Sequence, residues 1–133
     1  MYAVEVTDQI MIAHSFRGEI FGPGQRVHGG TFVVRVAFFA DTLDPHGVVV
    51  EIARALDVLN AALAPLNYRN LDDLPQLKGV NTTTEFLTKH VFDHLADAAR
   101  KGELGREGRD LKSIRVTVAE SPTARAWYEA PLW

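Results

Sequence analysis

The chain has 133 residues and a formal net charge of −3, without the basic stripe expected of a nucleic-acid binder. It contains no cysteine, which excludes disulfides, thiolate zinc sites and a cysteine nucleophile. No segment approaches the roughly 18 apolar residues of a membrane span, and the N-terminus is acidic where a signal region would be basic. We expect a single domain over residues 1–133, located in the cytoplasm, with no nucleic-acid or membrane partner.

Two segments near the N-terminus alternate apolar and polar residues with the period of a half-buried strand. The first covers residues 2–14 and ends at His14. The second opens at His28 and keeps one parity through Phe38. The connection over residues 15–27 is too long for a tight hairpin turn, so it could form a functional loop.

The middle of the chain changes to helical periodicity after the turn sequence "DTLDPHG". A first helix is predicted over residues 48–64, with a stripe of Ile52, Leu56, Leu59 and Leu63. A second helix is predicted to begin at a cap at Thr82 or Thr83 and to stop at Gly102. Its apolar stripe consists of Phe86, Leu87, Val91, Phe92 and Leu95.

The C-terminal part follows a charged, glycine-rich loop, "GELGREGRD", predicted over residues 102–110. In "LKSIRVTVAE" the residues Ile114, Val116, Val118 and Glu120 share one strand face, and "TARAWYEA" can return antiparallel after Ser121 and Pro122. The element order is therefore ββααββ. Separate runs of strands and helices predict an α+β fold, with a four-stranded antiparallel sheet covered on one face by two helices.

Three ionisable side chains stand at strand ends: His14, His28 and Glu120. If the first two strands pair antiparallel, His14 and His28 converge at one end of the sheet. Zinc binds neutral imidazole nitrogens, and a catalytic zinc site usually has three protein ligands. The third position on the same strand face is Gly30. The alternative is that the histidines are hydrogen-bonded polar residues bordering a core and that Glu120 is an exposed rim carboxylate.

The remaining histidines lie elsewhere. His90 and His94 are four residues apart on the second predicted helix, a spacing that could hold a metal. The helical zinc motif H-E-x-x-H would need a glutamate where Val91 stands. His46 lies in the "DPHG" turn, where solvation is the simplest interpretation.

Six segments in this order resemble the 6-pyruvoyl-tetrahydropterin synthase and 6-carboxy-tetrahydropterin synthase family. "IMIAH" is similar to the family's F-x-A-A-H segment, "HGGTF" to H-G-H-x-[YF], and "HGVVVEI" to G-[MW]-[VI]-[VI]-D-F. "LNYRNLDD" stands in place of L-D-H-x-x-L-N, "NTTTEFL" in place of N-P-T-S-E-x-L, and "VAES" in place of [VK]-x-E-T. The resemblance covers nearly the whole chain.

The resemblance implies the tunnelling fold, in which the sheets of several subunits join into a barrel. Two rings stack, commonly as a hexamer (a dimer of trimers), and the active sites lie between subunits. By residue, it implies that His14 and His28 are zinc ligands, with Gly30 in place of the third, so that the zinc site is incomplete. It further implies that Glu120 and Thr83 bind the substrate, with Glu120 pairing with the amino-pyrimidine edge of a pterin.

The residues that the resemblance assigns to catalysis are replaced. Gly24 stands where the family has its cysteine, and Asn67 and Tyr68 stand where it has an Asp–His pair. An amide carries no charge with which to orient a base, and a phenol has an unperturbed pKa near 10. Glu19, Tyr68, Asp72 and Asp73 are candidates for acid–base work, because some relatives without the cysteine use a glutamate from the first loop.

Two functional hypotheses follow. The first is a divergent member that binds a pterin or a related bicyclic heterocycle through Glu120 and acts as a lyase on its side chain with altered catalytic residues. The second is a catalytically inactive ligand-binding or scaffold oligomer that keeps only the fold.

Overall fold

The sheet is built on the pairing of the first two strands, β1 (Tyr2–His14) and β2 (His28–Ala40). The computed structural model describes residues 1–106 and 110–133. The two strands are antiparallel, and their register places His14 opposite His28 at one end and Tyr2 opposite Ala40 at the other. This pairing confirms the prediction that both histidines lie at the same end of the sheet.

Three further strands complete the sheet: β3 (Arg69–Asn70), β4 (Ser113–Ser121) and β5 (Ala124–Pro131). Their spatial order is β3-β1-β2-β4-β5. The α+β class and the single-subunit architecture of the tunnelling fold are confirmed. The prediction of four antiparallel strands is wrong because β3 pairs parallel with the edge of β1. The Tyr68 N–H donates to the Met11 carbonyl at 2.7 Å, and the Asn67 side chain accepts from the Met11 N–H at 2.9 Å. These bonds hold the added strand.

The first helix, α1 (Ile52–Leu63), is shorter than the predicted range of 48–64. Glu51 caps it, because its carboxylate accepts from the backbone N–H groups of Ala53 and Arg54 at 3.2 and 2.8 Å. The buried face of α1 also differs from the predicted apolar stripe, because Ile52 and Leu56 of that stripe are 54% and 40% exposed. The buried face consists of Ala55, Leu59, Ala62 and Leu63.

The second helix, α2 (Thr84–Arg100), begins at the predicted cap. The Thr83 hydroxyl accepts from the Phe86 N–H at 3.1 Å. Gly102 lies just beyond the helix with φ 77°, the left-handed conformation that favours glycine after a helix end. Of the loop predicted over residues 102–110, residues 107–109 lie outside the described residues.

Both helices pack against one face of the sheet and form a single hydrophobic core with it. The core includes Val36, Phe38, Leu59, Leu95 and Val116, all of which are fully buried. The opposite side of the sheet, here called the outer face, carries Met11 and Trp127, which are 49% and 63% exposed. Within the described residues, no helix has the length and apolar character needed to cross a membrane.

We predict that Glu51→Ala lowers the free energy of unfolding by about 1 kcal/mol, because two N–H groups of the first turn of α1 lose their acceptor. Chemical denaturation measures this loss. The control is Asp57→Ala, which removes an exposed carboxylate from the same helix. Equal destabilisation by both variants would contradict the assignment of Glu51 as the cap.

Candidate functional site

The side chains of His14 and His28 meet at the end of the sheet. Their ring centroids are 4.6 Å apart, and the rings are inclined by 60°. His14 is only 3% exposed, and His28 is partly exposed. The closeness follows from the register, since side chains directly opposite in an antiparallel pair have Cβ atoms about 4.5–5.5 Å apart.

Each imidazole is oriented through Nδ1. His28 Nδ1 donates to the Arg26 carbonyl at 2.8 Å, so in the neutral ring the lone pair is on Nε2. His14 Nδ1 hydrogen-bonds to the hydroxyl of Thr82 at 3.1 Å, and this threonine is 1% exposed. Both Nε2 atoms therefore remain free of these bonds. Sequence reasoning missed the role of Thr82, although the run of three threonines before α2 was visible.

The environment of His14 keeps its imidazole neutral. Burial lowers the pKa of His14 below its ordinary value of 6.5, and positive charge on His28 lowers it further. The bond to Thr82 and the charges of Asp72 and Glu120 oppose this shift without reversing it. At neutral pH His14 can therefore act as a hydrogen-bond acceptor, a base or a metal ligand.

Two phenylalanines from the connection between β1 and β2 pack over the histidines. The Phe16 ring lies 4.6 Å from the His14 ring and 5.3 Å from the His28 ring, and Phe21 packs on Phe16 at 4.8 Å. A Cβ added at Gly24 would lie 3.3 Å from the Phe16 ring and 3.8 Å from the His28 ring. The position that the resemblance assigns to a nucleophile thus faces His28, but the Phe16 ring crowds it.

The space beside Gly30 is open on the histidine face of β2. A Cβ at position 30 would meet only the Phe32 ring, at 3.8 Å, and the backbone there is not in the left-handed region. Over residues 1–106 and 110–133, no group of three or more histidine, aspartate and glutamate side chains could hold a metal ion. His14 and His28 therefore do not by themselves fit a three-ligand zinc centre.

Glu120 lies at the same end of the sheet, one strand further along. It is the extra residue in an irregularity between Ala119 and Ser121, where β4 has one residue more than β5. Its carboxylate is exposed, and the Thr84 hydroxyl donates to it at a long 3.4 Å. The first turn of α2 favours a negative charge at this position. Glu120 thus has oxygen atoms free to accept from a ligand.

The other predicted site residues are distributed around the histidine pair. Asp72 accepts from the hydroxyl of Ser15 at 2.6 Å and from its N–H at 3.3 Å, so it holds the end of β1 next to His14. Thr83 uses its hydroxyl as the cap of α2, one residue from Thr82. Asp73 is exposed in the short turn that also contains Asp72.

Glu19 and Tyr68 are not brought against the histidine rings. Glu19 is exposed at the start of the short 3-10 segment Glu19–Gln25, and no ion pair or hydrogen bond of its side chain is seen within the described residues. Tyr68 is 77% exposed with φ 59°, a strained conformation for a residue other than glycine. It lines a cavity of about 490 Å³ together with Met11 and Gly30.

The remaining histidines lie away from this site. The rings of His90 and His94 are 4.9 Å apart on α2, and burial followed by the charge of His94 lowers the pKa of His90. His94 Nδ1 donates to the His90 carbonyl at 2.9 Å. His46 is exposed in its turn, and its backbone N–H donates to the carboxylate of Asp44.

Comparison with known proteins gives one consistent result. The family model described as 6-pyruvoyl tetrahydropterin synthase matches residues 3–131. A curated 6-pyruvoyl tetrahydrobiopterin synthase from Dictyostelium discoideum is 30% identical over 79 residues. That match spans 58% of this chain and only 58% of the length of the relative.

Solved structures share the fold over nearly the whole chain. The 6-pyruvoyl tetrahydropterin synthase of Caenorhabditis elegans has a TM-score of 0.79 and 23% identity, over 97% of this chain and 95% of that chain. The Plasmodium vivax protein of the same name has a TM-score of 0.74 and 14% identity, over 98% and 99% of the two chains. One structure of that protein is described as a catalytic residue mutant in which a glutamate is replaced by alanine.

We predict that Gly30→His creates a zinc site with His14 and His28, because a side chain at position 30 enters open space on their face. Loss of a hydrogen bond that merely supports a metal ligand costs about 10–100-fold in metal affinity. Gain of a complete third ligand should therefore raise the zinc affinity at least about tenfold over that of the natural chain. Competition against a chromogenic chelator measures the affinity.

The matched control is Thr31→His, which places the imidazole on the outer face of β2. It should leave zinc affinity unchanged. Zinc binding by Gly30→His no tighter than by the natural chain, or equal tightening by Thr31→His, would refute the convergence of positions 14, 28 and 30.

Proposed function

Because the chain belongs to the 6-pyruvoyl tetrahydropterin synthase family, we propose that it binds a pterin or a related bicyclic heterocycle through Glu120 and acts as a lyase on the side chain of that heterocycle. The observation that carries the proposal is the position of Glu120. It is exposed and nearly unpartnered, it lies by the first turn of α2, and it is close enough to raise the pKa of His14.

Glu120 suits the recognition of an amino-pyrimidine edge. That edge presents two adjacent N–H donors, and a carboxylate can accept two parallel hydrogen bonds from such a pair. The long contact with Thr84 leaves this capacity available. Thr83 lies next to Thr84, and its hydroxyl proton remains free to donate while its oxygen caps the helix. Glu120 and Thr83 are therefore the proposed substrate-binding residues.

Lyase chemistry on the side chain needs a group that moves a proton. The candidates are Glu19, Tyr68 and Asp72, and their surroundings differ. Asp72 is engaged with Ser15, which suits a role in positioning His14. Tyr68 faces a separate cavity at the β1 edge. Glu19 is exposed and uncommitted, and a catalytic glutamate in the Plasmodium vivax protein supports its choice as the proton-transfer residue.

We propose a homo-oligomer, a hexamer formed as a dimer of trimers, with ligand sites between subunits. The outer edge of β5 has no neighbouring strand within the described residues, and an open edge of eight residues can pair with another chain. The exposed Trp127 on the outer face supports burial of that face in an assembly. A neighbouring subunit could also supply groups that the histidine pair lacks.

A ligand-binding or scaffold oligomer without catalysis is the alternative function. Three observations favour it. The two histidines have no third metal ligand among the described residues. Phe16 crowds the position of Gly24. The Asn67 side chain is committed to the backbone of Met11. A ligand-binding oligomer of this kind would bind a pterin without turnover, whereas a scaffold would keep only the fold.

We predict that Glu120→Gln weakens binding of neopterin about 10- to 100-fold, because a charge-assisted hydrogen bond contributes about 1.5–3 kcal/mol. Fluorescence titration measures the affinity. Glu5→Gln is the matched control, since it changes an exposed carboxylate near the far end of β1. Neopterin affinity that is equal in the natural chain and in Glu120→Gln would rule out Glu120 as the binding residue.

We predict that Glu19→Gln lowers turnover of dihydroneopterin triphosphate, assayed with zinc supplied, by at least about 100-fold, the usual contribution of a positioned acid or base. Neopterin affinity should be unchanged. Asp73→Asn, another exposed carboxylate, serves as the control and should retain full turnover. If the natural chain binds neopterin but shows no turnover, the lyase proposal fails and the alternative function stands.

A further inference from the structure

A buried hydroxyl lies beside the histidine pair, on Thr82. This residue is 1% exposed and stands directly before the cap of α2. The resemblance places it where the family pattern N-P-T-S-E-x-L has proline, which carries no hydroxyl. Because burial of a hydroxyl costs free energy unless it is hydrogen-bonded, Thr82 needs a partner inside the protein.

The hydroxyl of Thr82 has one partner among the described residues, Nδ1 of His14 at 3.1 Å. A hydroxyl carries one proton, and a buried proton of this kind needs an acceptor. Nδ1 is an acceptor only when the proton of the neutral imidazole is on Nε2. The hydrogen bond from Thr82 therefore favours the Nε2–H tautomer of His14.

The backbone of Thr82 acts on the same ring in the opposite sense. Its hydrogen bond raises the pKa of His14, because it stabilises the protonated imidazole. Burial and then the positive charge of His28 outweigh this effect, and the pKa of His14 is lowered overall. In the neutral ring the hydroxyl favours a lone pair on Nδ1, whereas the backbone favours a proton there. The hydroxyl thus decides which tautomer His14 adopts.

His28 has the other tautomer. Its Nδ1 donates to the Arg26 carbonyl at 2.8 Å, so its lone pair is on Nε2. The two rings, with centroids 4.6 Å apart, then present unlike groups: Nε2–H of His14 is a donor, and Nε2 of His28 is an acceptor. Two lone pairs at this place would suit a metal ion, whereas a donor beside an acceptor matches a hydroxyl group, which accepts and donates at once.

We propose that Thr82 is a positioning residue, which donates to Nδ1 of His14 and thereby makes His14 and His28 a donor–acceptor pair for a hydroxyl group of the ligand. The hydroxyl oxygen accepts from Nε2–H of His14, and the hydroxyl proton is donated to Nε2 of His28. The assignment of the two tautomers rests only on the hydrogen bonds of the rings. The identification of the ligand hydroxyl with the side chain of a bicyclic heterocycle rests on the proposed function.

The donor–acceptor pair is compatible with the zinc site expected in Gly30→His. A metal bound by both Nε2 atoms requires the proton of His14 to move to Nδ1. The Thr82 hydroxyl must then turn and accept from that proton. In the natural chain, where position 30 supplies no side chain, the tautomers favour the hydroxyl ligand.

Proton–nitrogen correlation spectra of the isotope-labelled natural chain test the tautomers without any ligand. They are recorded above the ordinary imidazole pKa of about 6.5, and His14→Gln and His28→Gln assign the ring signals. The ring of His14 should carry its proton on Nε2 and the ring of His28 on Nδ1. A proton on Nδ1 of His14 would overturn the proposal.

Thr82→Val removes the hydroxyl with little change of shape and should move the His14 proton to Nδ1. Thr82→Ser keeps a hydroxyl and should keep the natural tautomer. Thr88→Val is the matched control, because Thr88 is 2% exposed and its hydroxyl donates to the Glu85 carbonyl at 2.6 Å. An unchanged tautomer in Thr82→Val, or an equal change in Thr88→Val, would refute the role of Thr82. Thermal unfolding checks that each variant is folded, and the spectra of the natural chain decide if Thr82→Val is not.

A second arm tests the ligand hydroxyl with neopterin and with 6-methylpterin, whose side chain has no hydroxyl. The natural chain should prefer neopterin, and Thr82→Val should reduce this preference about 2- to 10-fold, the usual contribution of one hydrogen bond. Thr88→Val should keep the preference. Equal affinity of the natural chain for both heterocycles, or an unchanged preference in Thr82→Val, would overturn hydroxyl recognition. If neither heterocycle binds, the proposed function fails, whereas the spectra of the natural chain still decide the role of Thr82.

Discussion

The antiparallel register of β1 and β2 is the constraint on which the rest of the site depends. Thirteen residues of each strand pair without interruption, and this pairing sets His14 against His28. A slip of one residue in β1 would turn His14 to the outer face together with the apolar residues that this strand contributes to the core, and would separate His14 from His28. The hydrophobic core of the domain therefore also fixes the geometry of the histidine pair.

The proposed binding residue and the altered family positions lie on different elements around this pair. The proposed binding side is formed by β4 and α2, where an irregular strand end presents Glu120 beside the threonines that begin the helix. Gly24 lies in the connection between β1 and β2, and Gly30 lies near the start of β2. The resemblance assigns both positions to chemistry. A loop residue such as Gly24 can change without disturbing the sheet, and a side chain at Gly30 would meet only Phe32, whereas the register and the cap of α2 are tied to the fold. This difference supports the proposal that Glu120 keeps a binding role although Gly24 and Gly30 replace residues of the family pattern.

Much of this arrangement could be predicted from the sequence, because the strand alternation and the threonine cap are local signals. The convergence of His14 and His28 followed once antiparallel pairing was assumed. The strand β3 could not be predicted, because its two residues are held by Asn67 and by the edge of β1. The rotated stripe of α1 and the packing of Phe16 on the histidines depend on tertiary contacts that periodicity does not report.

The central claim is that Glu120 holds the heterocycle at the end of β4, and a crystal structure of the protein with bound neopterin tests it most directly. The account predicts that the amino-pyrimidine edge donates to both carboxylate oxygens of Glu120, each within hydrogen-bond distance, with the ring next to the first turn of α2. Neopterin bound at another place, with Glu120 still in contact only with Thr84, would contradict the account.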